Sequence, residues 1–309
     1  MMLWQKYKKL SLLFSLLSLA YLVLVFTLPH DKLTLHRYHI SSGQDAALML
    51  TIVIPYLIIW IIAFVGYLRL RSYVETVCQS KDGAAFHTIS LGMLGVAFWL
   101  PIMALMNTAT SGYYHAHPSA APEMVILNNY VNIIILFLAF WFIGLGAKRL
   151  LGVVKKQPLA LPQSLSFTFT AFSALYLFMV LQDPARQFPT HRMSIASYYL
   201  PDWLTVVTIV IPHLFTWFLG LQAIFNINMY RKFVKGPIYK QALAQLTNGL
   251  SVVIIMIVTL RCFESISVPL TRLSLGLILL VVYVLLILIG LGYAQIAKGA
   301  KSLQRIEEI

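Results

Sequence analysis

The chain reads as an all-α integral membrane protein of about eight transmembrane helices. They form two parallel four-helix repeats, with both termini cytoplasmic. Three observations carry this reading. Of 309 residues, 60% are hydrophobic and 11% charged, whereas a soluble domain has roughly 45–50% apolar and about 25% charged residues. Apolar runs of bilayer-spanning length, about 20 residues, recur eight times. The second half of the chain also repeats the first. A mean hydropathy of +0.81 excludes both a water-soluble globule and a disordered chain.

The eight runs are 10–28, 47–68, 86–106, 126–147, 164–181, 203–223, 242–262 and 270–296. None alternates with the ten-residue pattern of a membrane barrel, which leaves helices to satisfy the backbone in lipid. The first run follows Lys6, Lys8 and Lys9 and so resembles a secretory signal. It is longer than a signal core, however, and lacks a small-x-small cleavage site near Thr27, so it reads as a retained span. Seventeen of the 23 Lys and Arg lie in the N-terminus, the second, fourth and sixth loops and the C-terminal tail, which puts these on the cytoplasmic side. The net charge of +13 is therefore a topology signal and an attraction to anionic lipid, not a nucleic-acid footprint.

The repeat is explicit in the second and sixth spans. Thr51-Ile52-Val53-Ile54-Pro55-Tyr56-Leu57 with Trp60 matches Thr208-Ile209-Val210-Ile211-Pro212-His213-Leu214 with Trp217, at an offset of 157. The same offset pairs Tyr73 with Tyr230 and Gly92 with Gly249. Upstream, an offset of 155 pairs Tyr21 with Tyr176, Pro29 with Pro184 and His36-Arg37 with His191-Arg192. In the last spans, Gly144-Leu145-Gly146 matches Gly290-Leu291-Gly292 at 146. The halves are 1–157 and 158–309, within one membrane domain. Four spans each gives them the same orientation, a parallel arrangement found in transporter folds.

Candidate ligand-binding residues follow from this duplication. Pro55 and Pro212 remove a backbone donor inside a span, free the carbonyls of Thr51 and Thr208, and are each followed by a Trp, Trp60 or Trp217. Paired kinks of this kind border an outward-facing cavity, or simply shape the packing of the bundle. His213 replaces Tyr56 and is an ionisable group within a span. Arg37 and Arg192 stand at matching external positions, where two guanidinium forks suit a carboxylate or phosphate. Asn128, Asn129, Asn132, Asn248, Gln222, Asn226 and Asn228 are the polar groups expected to face the bundle interior, as interhelical glue or solute contacts.

The external loops hold most of the histidines. His115-Ala116-His117, read as an extended segment that sets both rings on one side, forms a candidate metal site with His36 and His191. Imidazole ligands suit zinc, copper or nickel, although no standard zinc spacing is present. Cys78 and Cys262 are expected on opposite sides of the bilayer, which precludes a disulfide between them. No CxxC or CxxCH occurs, removing thioredoxin chemistry and covalent haem attachment. No P-loop, GxSxG or kinase signature occurs either, so no catalytic residue is assigned and an enzyme is disfavoured. His87 and His213 are too unequal in depth for bis-histidine haem.

Two readings of function remain. One is a protein that binds or translocates a small solute or ion between its pseudo-symmetric halves. The other is a structural, accessory or sensory membrane subunit that oligomerises or holds a partner. Short loops point to a multi-pass protein of a bacterial inner membrane.

Overall fold

A computed structural model describes residues 7–27, 34–35, 38–39, 50, 53–77, 80–116, 121–154, 211–266 and 275–307. Among these residues it is helical, with seven helices: α1 (Lys8–Thr27), α2 (Ile54–Thr76), α3 (Lys81–Ala116), α4 (Ala121–Val153), α5 (Ile211–Phe233), α6 (Pro237–Ile266) and α7 (Leu275–Glu307). They account for seven of the eight expected spans. The run 164–181 and the boundary between the halves lie outside the described residues. The one departure from helix is a two-residue ladder, β1 (Thr34–Leu35) paired antiparallel with β2 (Tyr38–His39), and β1 contacts α3.

The segments Ile54–Thr76, Asp82–Met106, Val131–Val153, Pro237–Ile257 and Tyr283–Ile306 are long and apolar enough to cross a membrane. The outward-facing surface fits that environment. Leu12, Leu16, Leu19, Ile58, Ile61, Ile134, Leu138, Trp141, Ile255, Ile287 and Leu291 are all exposed. Water tolerates contiguous apolar patches of only a few hundred Å² on a monomer, whereas lipid covers them at no cost. Hydroxyls inside the helices fold back on their own backbones. Ser15 donates to the Ser11 carbonyl at 2.9 Å, Ser18 to that of Phe14 at 2.9 Å, and Ser251 to that of Thr247 at 2.8 Å, an i−4 pattern that satisfies them without a partner helix. The chain is an α-helical, multi-pass membrane protein.

Helix contacts follow a regular scheme. α3 packs on α4 and α6 on α7, α2 on α3 and α5 on α6, and α4 on α5 and α7 on α2; α1 lies on α3. The two hairpins are built alike at backbone level. A Cβ on Gly92 would sit 2.4 Å from the Ala139 carbonyl oxygen, and one on Gly249 2.5 Å from that of Gly292. One on Gly146 would meet the Ala85 carbonyl at 2.7 Å, and one on Gly299 that of Ala242 at 2.9 Å. Such close approach is what small residues permit between membrane helices.

These contacts correct the correspondence of the last spans. Ile143 covers Gly92 as Ile296 covers Gly249, an offset of 153 rather than 146. The aligned segments are then Ile143-x-x-Gly146-Ala147-Lys148-x-Leu150 and Ile296-x-x-Gly299-Ala300-Lys301-x-Leu303. The glycine triplets differ from this register by seven residues, two helical turns. A slip of that size returns to nearly the same helix face, so a match by small residues alone is degenerate.

The turns between the second and third helices of each hairpin-bearing unit are short. Ser80 caps α3, its Oγ accepting from the Gly83 N–H at 2.9 Å. α5 is followed by Val234-Lys235-Gly236; Gly236 has φ +94°, a conformation in which a Cβ is unfavourable, and its carbonyl accepts from the Lys240 N–H at 3.1 Å as the N-cap of α6.

Candidate functional site

Of the two expected kink prolines, Pro55 falls near the first turn of a helix, and the residues before Ile211 that would show the backbone ahead of Pro212 lie outside the described residues. Pro55 lies in the first turn of α2, after Val53 (φ −65°, ψ −48°); Leu50 and Val53 each have π-helical backbone. Pro55 thus stands where π-helical backbone passes into α-helix, and its missing N–H falls at that change of hydrogen-bond register. Pro212 and His213 are the second and third residues of α5 as described. Thr51, Thr208, Arg37, Arg192, His36, His117 and His191 lie outside the described residues.

Trp60 is fully buried, its ring 5.1 Å from that of Tyr21 in α1. Neither the Trp60 Nε1 nor the Tyr21 hydroxyl has a hydrogen-bond partner. Trp217 is also buried. Behind Trp60, Phe14 stacks on Phe64 at 4.6 Å and Phe98 meets Phe64 edge-on at 5.8 Å, so α1 is fastened to α2 and α3 by aromatic packing. The described cavity of about 370 Å³ is a lateral apolar groove between α1, α3 and α4, lined by Leu13, Leu94, Phe98, Ile135 and Phe142 among others.

The histidine cluster is corrected in one respect. His115 falls in the last turn of α3, in helical and not extended backbone, while His117 lies outside the described residues. Among the described residues no group of three His, Cys, Asp or Glu could hold a metal ion. Of the interior amides, Asn132 and Asn226 are buried, Gln222 and Asn228 are half-buried, and Asn248 is exposed. The side chain of Asn132 accepts a hydrogen bond from Trp99 Nε1, tying α4 to α3, while its Nδ2 has no partner.

The most organised polar cluster is one that the sequence did not single out. At the C-terminal ends of α2 and α5 and the N-terminal ends of α3 and α6, four side chains meet. The hydroxyls of Tyr73 and Tyr239 are 3.3 Å apart. The Tyr230 hydroxyl donates to Asp82 Oδ2 at 2.9 Å, and Tyr239 also neighbours Tyr230. Asp82 Oδ1 is buried with no hydrogen-bond partner. Tyr73 and Tyr230 are almost wholly buried, and Phe86 meets the Tyr73 ring edge-on at 5.2 Å. Tyr230 lies beyond the apolar run 203–223. Burial, followed by the adjacent Tyr239 and Asp82, pushes its phenol well above the ordinary range, so it stays a proton donor. The arrangement is a chain of three phenols ending on one carboxylate.

The Tyr73···Tyr239 and Tyr230···Asp82 bonds each join α2 or α3 to α5 or α6, whereas Tyr230 and Tyr239 meet within one stretch. Adding 157 to Tyr73 gives Tyr230, and adding 157 to Asp82 gives Tyr239. The Tyr73···Tyr239 and Tyr230···Asp82 pairs therefore exchange when the two stretches exchange. The recurrence of Tyr73 as Tyr230 was the one available signal; an Asp standing where the other stretch has Tyr concealed the second pair. No protein-family model, curated protein or solved structure matches the chain.

Proposed function

We propose that the protein consists of two parallel four-span halves with both termini cytoplasmic, and that it binds or translocates a small solute or ion between them. The helix contacts support this reading, because the scheme maps onto itself when the halves are exchanged, with offsets of 157 for α2 and α3 and 153 for α4. The observation that carries it is the phenol–carboxylate chain. Two hydrogen bonds at one end run between the halves, a third, from the Tyr293 hydroxyl to the Val96 carbonyl at 3.0 Å, crosses between them deeper in the bundle, and the closest backbone approaches lie within the α3–α4 and α6–α7 hairpins. Two tight hairpins joined through polar bonds suit alternating exposure of a site between them. The test is reconstitution in liposomes with a broad panel of small solutes and ions, together with native mass spectrometry of the gently solubilised protein. Flux, or a discrete bound mass on a monomer or dimer, is the expected result. Neither flux nor a bound mass across the panel overturns the proposal.

A second reading, a structural or accessory subunit that oligomerises or holds a partner, is favoured by one observation. The described cavity opens sideways between α1, α3 and α4 and is apolar. A ligand-free higher oligomer in the same mass spectra would select it. In both readings lipid is the constant partner, nucleic acid is not one, and a bacterial inner membrane is the proposed location. A metal ion on His36, His115, His117 and His191 remains a proposal for metal analysis of that sample.

A further inference from the structure

We propose that Tyr73, Tyr239, Tyr230 and Asp82 form a latch that holds the cytoplasmic ends of the two halves together and must break for that end of their interface to open. This deepens the translocation reading and rests on it. The argument begins with where the bonds run. A hydrogen bond is lost over about an ångström of separation, so bonds confined to the interface make its opening a discrete event.

The seams beside the latch differ from the contacts within each hairpin. In the hairpins, a Cβ on Gly92, Gly146, Gly249 or Gly299 would fall 2.4–2.6 Å from a neighbouring atom, meaning that the backbones touch. Across the seams, one on Gly144 would stand 3.8 Å from the Leu219 carbonyl and one on Gly290 3.5 Å from Ile59, ordinary van der Waals spacing. The seams are tightest at Gly66, where a Cβ would lie 3.2 Å from the Tyr293 carbonyl, and at Gly220, 3.1 Å from Phe140. Even there they are looser than the hairpins. The two hairpins are therefore the most closely packed backbones of the fold.

Position matters as well. All four side chains sit at helix ends, next to the short turns 77–80 and 234–236. Once the halves part, the phenols and the carboxylate reach water, which replaces the lost bonds. The buried bond from the Tyr293 hydroxyl to the Val96 carbonyl, 3.0 Å long and also between the halves, has no such compensation and stays closed while the helix ends part. The Asp82 end is the stronger of the two, because a bond to an ionised acceptor is roughly twice as strong as a neutral one.

The experiment places spin labels at Thr76→Cys and Lys232→Cys, on the outer ends of α2 and α5, in a Cys78→Ser/Cys262→Ser background. The distance distribution is then measured in nanodiscs. The protein without latch substitutions is expected to give one dominant short distance. Tyr73→Phe/Tyr230→Phe is expected to raise the ratio of the longer to the shorter population by roughly 5- to 30-fold, about 1–2 kcal/mol at 1.4 kcal/mol per factor of ten. Tyr21→Phe, which removes a hydroxyl with no partner, is expected to leave the distribution unchanged. If the double Phe variant is monodisperse and keeps the original distribution, the latch is wrong; should that variant fail to fold, Asp82→Asn alone is held to the same criterion. Flux with an unmoved distribution sinks the latch and spares translocation. A distribution that opens in a protein giving no flux or bound ligand sinks translocation.

Discussion

Gly92→Ala tests the hairpin geometry most directly. Its Cβ would stand 2.4 Å from the Ala139 carbonyl oxygen, 2.5 Å from Ile143 Cγ1 and 2.8 Å from the Ile143 nitrogen. Ordinary contact begins near 3.4 Å, so α3 and α4 must move apart by about 1 Å. Two of the three obstructing atoms are backbone and cannot rotate away. Overpacking of this kind costs about 1–3 kcal/mol, and the upper end applies where backbone must move. Alanine regains about 1 kcal/mol of helix propensity, leaving a net loss of about 2 kcal/mol. Gly152 is the internal control, because nothing lies within 4 Å of a Cβ there, so Gly152→Ala should keep the gain of about 1 kcal/mol. Reversible unfolding in mixed detergent–SDS micelles should therefore separate the two variants by about 3 kcal/mol. Gly249→Ala should match Gly92→Ala, and Gly299→Ala should match Gly146→Ala, since the obstructing carbonyls correspond. Equal stability of Gly92→Ala and Gly152→Ala would falsify the close backbone approach, and with it the register of 153.

Three further outcomes follow from the polar contacts. Trp99→Phe strips Asn132 of its donor and should cost about 1–3 kcal/mol through the orphaned amide, whereas Trp99→Phe/Asn132→Leu should recover most of it; a double-mutant cycle in SDS unfolding reads the coupling. Trp60→Phe loses no hydrogen bond, and its loss in the same assay should be smaller than that of Trp99→Phe by about 1 kcal/mol. The raised Tyr230 phenol contributes stability that is complete below the ordinary tyrosine pKa of about 10 and is lost as pH rises through the folded value. Unfolding midpoints from pH 7 to 11 should thus be flat up to about pH 10 and then fall more for the unsubstituted protein than for Tyr230→Phe; an equal fall removes Tyr230 as a cause.

The helical class was legible because hydropathy and length leave lipid-spanning chain few options. The offset of 157 was legible in the second and sixth spans because Thr-Ile-Val-Ile-Pro is a specific string. The last spans were misregistered because Gly-x-Gly recurs wherever apolar helices approach, and a two-turn slip preserves the face. His115 was misread as extended because the apolar signal of α3 ends near Met106, although the helix runs on to Ala116. Asp82 escaped notice because it sits where a cytoplasmic charge is unremarkable. Its importance depends on a contact with Tyr230, 148 residues away, which no local pattern reports.

The difference between Asp82 and Tyr239 gives the pseudo-symmetry a test of its own. If the two bonds are equivalent under exchange of the halves, the carboxylate can occupy either position. In Asp82→Tyr/Tyr239→Asp the new carboxylate would lie against Tyr73 and the new phenol against Tyr230, reproducing the original set of one charge-assisted and one neutral bond. Each single substitution breaks that set differently. Asp82→Tyr leaves only phenols and forfeits the stronger bond, a loss of about 1 kcal/mol. Tyr239→Asp brings two carboxylates into one cluster, where like charges oppose closure. The swapped double variant should therefore lie within about 0.5 kcal/mol of the starting protein in SDS unfolding, the usual limit for additive, uncoupled changes. Both singles should fall below it. A double variant as unstable as the sum of its singles would mean that the two positions are not related by exchange, whatever their spacing in the sequence.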